Sequence, residues 1–173
     1  VPNDLALTLR ARKYYNQLNF IEELIAKTKK FNIDIVIKEH PARIGAINAS
    51  KILNLKKKYE NLKILKPWEN TYNIIEKSIA VVTINSKTGF EAILMNKPLI
   101  CLGESYYKNF EQLTPIEKLF NDFKMNKYSD ADIKQFFKRI YQNSFEGELY
   151  NLHEKNISKF STSLINLSKN FFN

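Results

Sequence analysis

Four short runs rich in β-branched and aliphatic residues, at 33–38 (IDIVIK), 62–65 (LKIL), 80–84 (AVVTI) and 99–102 (LICL), alternate with segments patterned as helices. No other feature constrains the fold as much. Helical spacing recurs over 47–59, 72–77 and 87–95, and an earlier helix over about 11–30 places Tyr14, Leu18, Ile21, Leu24 and Ile25 on one face. Strands joined through helices must run parallel, because each helix carries the chain back to the strand's starting end. The expected fold is therefore α/β: a Rossmann-like parallel sheet with crossover helices. Beyond Gly103 the pattern becomes helical. Thr114-Pro115 reads as a cap and first-turn proline, Ser129-Asp130 opens another helix, and a long one starts near 148. The spacing predicts one domain over 1–173, with a helical C-terminal region from about 112.

A chain of 173 residues, 44% hydrophobic and 26% charged, is long enough to bury its own core. No apolar run approaches the ~20 residues needed to cross a bilayer as a helix. The single cysteine, Cys101, excludes an internal disulfide framework. With only two histidines beside it no Cys/His metal cluster can form, so no metal is expected. This pattern predicts a reduced, cytoplasmic protein. The chain opens at Val1 with no signal-peptide pattern and is expected to be a piece of something longer.

Basic residues exceed acidic ones by 27 to 18, a net charge of +9 that favours phosphates, nucleic acid or anionic lipid. Lysine supplies 23 of the 27, and asparagine and isoleucine number 20 each, a bias that an AT-rich genome produces without any ligand. The densest basic stretch, Lys51 to Lys66, reads as the solvated face of a helix. No RNP-like aromatic signature, GXXG loop or zinc finger occurs, so nucleic acid is not an expected partner.

In an open parallel sheet ligands sit beyond the carboxyl ends of the strands, which directs attention to the loops after them. Gly45, Gly89 and Gly103 fall in these loops, where backbone turns sharply or approaches something closely, as any loop glycine does. His40 follows the first strand, and Pro41 holds it extended, so that its imidazole projects from the strand end and can donate to a phosphate. Lys38 and Arg43 lie nearby, Arg43 with a fork suited to phosphate oxygens. After the third strand come Asn85, Ser86, Lys87, Thr88 and Gly89, then a helix. Hydroxyls and free backbone N–H groups at a helix start form an anion site that a small Gly89 lets a phosphate approach. Glu91, one turn in, is placed to accept hydrogen bonds from ribose hydroxyls. Thr88 to Glu91 is equally an S/T-x-x-E capping box, which needs no ligand.

Other patterns are weaker. No pair of carboxylates stands out as general acid and base, and no G-x-S-x-G elbow supports a hydrolytic Ser86. Trp68 can wall a nucleobase pocket or simply pack. Two sets at seven-residue steps, His153, Phe160 and Leu167, and Tyr150, Ile157, Leu164 and Phe171, put an apolar stripe on the final helix, suited to docking on a second domain or to packing on this domain's own sheet.

KEHPARIGA (38–46), KPWENTYNIIEKS (66–78) and AVVTINSKTGFEAILMNKPLICLGESYY (80–107) together resemble the capsule polysaccharide biosynthesis and export family, whose members include Kdo transferases of GT-B-like architecture. The resemblance covers about 34–107 and implies half of a GT-B-like fold: the nucleotide-sugar-binding domain of a bacterial glycosyltransferase. It implies that His40, Ser86 and Thr88 hold the nucleotide phosphate and that Glu91 faces the ribose. Glu91 to Pro98 matches the E-A-x-x-x-x-K/R-P ending shared by GT-B nucleotide domains. The implied donor is a CMP-sugar, with no metal and no separate cofactor. Implied partners are a glycan or glycolipid acceptor, a missing N-terminal domain and a peripheral contact with the inner membrane. The alternative is a non-catalytic binding module of a polysaccharide biosynthesis or export complex.

Overall fold

A computed structural model describes residues 5–148 and 151–171. The chain forms two compact units, residues 1–129 and 130–173. In the first, α1 (Leu5–Arg10) and α2 (Gln17–Thr28) precede β1 (Ile35–Lys38), α3 (Ala49–Lys58), β2 (Leu62–Leu65), α4 (Thr71–Lys77), β3 (Val81–Thr83), α5 (Lys87–Leu94), β4 (Leu99–Cys101) and α6 (Ile116–Asn121). The second holds α7 (Asp130–Gln142) and α8 (Glu154–Phe171).

All four expected strands form, and they run parallel, with β1 on β2 (Ile35 opposite Leu62) and β3 on β4 (Val81 opposite Leu99). The hydrogen bonds make two separate pairs rather than one continuous sheet. Side chains supply the join. Ile35 at the start of β1 and Val82 and Ile84 at β3 pack on one cluster of Leu24, Ile100, Leu102, Ile116 and Leu119. Helix α5 covers β3 and β4, α3 lies on β2, and α2 contacts both α3 and α6. The result is the expected α/β architecture, with crossover helices between parallel strands.

Local chemistry sets several boundaries differently from the sequence pattern. The Asn16 side chain accepts from the Asn19 amide at 3.2 Å and starts α2 well after position 11. Left-handed Asn32, φ 54°, closes the segment. Thr114 does not cap α6. Pro115 takes that position, and the buried Thr114 hydroxyl accepts from the Asn126 amide at 2.9 Å. The last helix begins at Glu154, not near 148: the Asn156 side-chain amide takes the backbone oxygens ahead of it, donating to Glu148 O at 2.8 Å and to Asn151 O at 2.7 Å. His153 therefore sits before α8, where its Nδ1 accepts from the Lys155 amide at 3.4 Å, and is not part of the helical stripe. Ile157, Leu164 and Leu167 remain 47%, 43% and 41% exposed, so the stripe is largely open; Tyr150 and the Phe171 side chain lie outside the described residues.

Candidate functional site

The loop after β3 is built around Ser86, which caps α5. Its hydroxyl accepts from the Thr88 amide at 3.3 Å and lies 3.3 Å from the Thr88 hydroxyl. Its own amide donates to Thr83 Oγ1 at 3.1 Å, and its carbonyl accepts from the Gly89 amide at 2.9 Å. The cap is thus Ser86, two residues before Thr88. The capping box read on Thr88 and Glu91 does not form, because Thr88 is already inside the first turn. Asn85 leads into the loop half-buried, and Lys87 projects into solvent.

Glu91, one turn into α5, has a side chain only 14% exposed. It accepts from the Tyr72 hydroxyl at 3.4 Å and lies 3.9 Å from Lys87 Nζ. Tyr106 stands close to the same carboxylate. Partial burial, and then the Glu91 charge, push its phenol's ionisation upward. The Tyr106 ring packs on Phe90 with centroids 5.4 Å apart. Tyr72 and Tyr106 are 54% and 60% exposed, and the largely covered Glu91 side chain lies beside both. Trp68, in the loop after β2, is 71% exposed and does not pack in the core.

Gly89 has a packing reason to be glycine. A Cβ there would fall 2.6 Å from Tyr107 Oη and 2.7 Å from Tyr107 Cζ, so the fully buried phenol fills the space that a ligand was expected to approach. The same hydroxyl donates to the Ser86 carbonyl at 2.5 Å. Sequence reasoning assigned Tyr107 no role, and no local pattern marks it, because Gly89 and Ser86 lie about twenty positions away.

The loop after β1 closes on itself. His40 caps a single 3-10 turn (Pro41–Arg43), and its Nδ1 accepts from the Ala42 amide at 3.2 Å. That bond needs an unprotonated Nδ1, which leaves the proton of the neutral ring on Nε2, a donor facing solvent. Glu39 holds the far side of the loop by accepting from the amides of Gly45 at 3.2 Å and Ile47 at 3.3 Å. Gly45 has φ 79°, which needs glycine's freedom. Arg43 is exposed on this loop. The structure thus gathers Ser86, Lys87, Thr88, Gly89 and Glu91 around one helix start, with His40 and Arg43 on a separately built loop beyond β1.

Lys97 gives the K-P pair that follows α5 a physical meaning. Its Nζ donates to Glu76 O at 2.5 Å and Ser78 O at 3.1 Å, capping the carboxyl end of α4. A cavity of about 320 Å³ lies elsewhere, lined by Tyr14, Cys101, Lys108, Thr114 and Glu117 among others, and includes none of the candidate nucleotide-binding residues. Among the described residues no three His, Cys, Asp or Glu side chains gather as a metal site.

Parallel strands, crossover helices, and polar loops where β1 and β3 end define a Rossmann-like α/β protein. The chain belongs to the capsule polysaccharide biosynthesis protein family, whose model matches residues 1–150. It is also 32% identical over 108 residues to Protein FixF of Sinorhizobium fredii, a match covering 62% of this chain and 25% of that protein. The chain thus matches about a quarter of that relative's length. No solved structure matches.

Proposed function

We propose that this chain is the nucleotide-sugar-binding part of a glycosyltransferase in capsule polysaccharide biosynthesis, with a CMP-sugar as donor. The observation that carries the reading is the start of α5. The Ser86 hydroxyl, the Lys87 amide and the exposed Lys87 side chain lie at that helix start, and the Glu91 side chain lies one turn along between two exposed tyrosines. Such a point takes a phosphate. Glu91 then accepts from ribose hydroxyls, and Nε2–H of His40 and the Arg43 guanidinium add donors from the β1 loop. As the glycosyl bond breaks, negative charge grows on the departing phosphate, and fixed donors stabilise that charge.

Neither carboxylate of these loops serves as a base in this reading: Glu39 holds two amides, and Glu91, beside Tyr72 and Lys87, is given to the ribose hydroxyls. This favours an acceptor site and base supplied by a further domain, and with it an inactive isolated chain. It equally suits the second reading, a binding module without chemistry. The acceptor is proposed to be a glycan or glycolipid. No described helix is long and apolar enough to cross a membrane. A cytoplasmic position with peripheral contact at the inner membrane is proposed on the net charge of +9, which suits an anionic surface.

Thermal melts with CMP, a CMP-sugar, UMP, UDP and GDP test the reading, since a ligand that binds only the native state raises Tm by mass action. CMP compounds are expected to give the largest shift. Equal shifts, or a preference for UDP, overturn the CMP assignment; no shift with any nucleotide favours the binding-module reading.

A further inference from the structure

We propose that Tyr107 is a positioning residue for the phosphate-binding loop, one that aims the first backbone donor of α5 from behind. The inference rests on the reading that the Ser86 loop takes the donor phosphate. The Tyr107 hydroxyl donates to the Ser86 carbonyl at 2.5 Å. That carbonyl and the Lys87 N–H belong to one planar peptide unit and point in opposite directions. Holding the oxygen from the protein side therefore turns the Lys87 N–H outward. In the first turn of a helix this N–H has no partner within the helix, which leaves it for a ligand.

The hold is built from several sides. The Tyr107 ring is fully buried, lies over Gly89, and meets the Tyr106 ring edge-on with centroids 5.1 Å apart. Thr83 Oγ1 takes the Ser86 amide, so the residue is gripped at both its N–H and its C=O. Removal of the hydroxyl alone leaves the ring in place, and the Ser86 carbonyl keeps its bond from the Gly89 amide, so the helix persists while the peptide loses its fixed tilt. Burial also pushes the phenol's ionisation well above its ordinary range, which keeps it a donor at every pH where the protein is assayed.

The test is the affinity of CMP relative to cytidine, measured by calorimetry on the wild-type chain and on Tyr107→Phe. Cytidine lacks the phosphate, so the ratio isolates the phosphate's share of binding. Tyr107→Phe is expected to weaken CMP about tenfold, the effect of losing one well-aimed hydrogen bond to a charged group, and to leave cytidine unchanged. An unchanged CMP affinity, or equal losses for both ligands, overturns the positioning role. Failure of the wild-type chain to bind CMP overturns the phosphate-site reading instead, and the proposal falls with it. Should Tyr107→Phe not fold, Gly89→Ala, which crowds the phenol from the helix side, is read by the same ratio with the same expectations.

Discussion

His40 and Ser86 each have a structural task besides the one proposed for them, and the two tasks can be separated by substitution. Both side chains accept from an amide two residues on, as local caps do. Ser86→Ala should therefore cost roughly 0.5–2 kcal/mol of stability, the usual loss on removing an N-cap, whatever it does to nucleotide binding. Ser86→Asp keeps a cap but sets a charge against the phosphate; urea unfolding should show near wild-type stability while the CMP-induced Tm shift disappears. For His40 the separating change is Asn, which keeps an acceptor for the Ala42 amide and loses the outward Nε2–H. Its Tm should stay at the wild-type value while CMP affinity drops several-fold, and an unchanged affinity would return His40 to a purely local role. At this scale the sequence showed which loops carry polar groups but misplaced the cap. Ser86 and Thr88 are both competent caps, and only the backbone at Ser86, φ −70° and ψ 147°, decides between them.

Among the elements, β4 depends on a residue far along the chain. The Leu99 amide donates to the buried Tyr128 hydroxyl at 2.6 Å. Tyr128→Phe keeps the ring, which meets Phe110 with centroids 4.9 Å apart, and leaves that N–H buried without a partner. A loss of about 1–3 kcal/mol in urea unfolding is expected; a neutral result would mean that water reaches Leu99. The strands themselves were legible because β-branched runs bounded by turn residues have few other uses. Their ends were not. The pattern over 80–84 continues past Thr83, yet the regular β3–β4 register ends at Thr83 opposite Cys101; the Ile84 carbonyl still accepts from the Gly103 amide at 2.8 Å while its side chain packs on the core cluster. The final helix was read too early for the same kind of reason: nothing in its apolar spacing reveals that the Asn156 side chain takes the backbone of Glu148 and Asn151.

For the whole molecule, the two buried phenols predict the alkaline limit of stability. Burial raises the ionisation of Tyr128 to about 12, and that of Tyr107 higher still, while in the unfolded chain both titrate near the usual ~10. The folded state then holds more protons than the unfolded state above pH ~10, so stability is fully present below that value and is lost as pH rises toward about 12. Melts from pH 8 to 12 should be level and then fall, and Tyr128→Phe should fall less steeply; a parallel fall in both would deny Tyr128 its share. Every residue of the candidate site lies in the first unit, residues 1–129. A fragment of that unit that still unfolds cooperatively should keep the CMP-induced Tm shift, and loss of the shift in such a folded fragment would count against a site complete within residues 1–129.

The α/β class, the strand positions and the loops that carry the polar groups were determined by sequence alone, because periodicity and turn chemistry act over a few neighbouring residues. Tertiary structure decided which of those groups remain available. Glu39 is consumed by Gly45 and Ile47, Lys97 by the end of α4, and the open side of Gly89 by Tyr107. Each contact other than that of Glu39 joins residues about twenty positions apart, on different elements. Whether such groups meet depends on how the helices pack on the strands, which no local pattern contains.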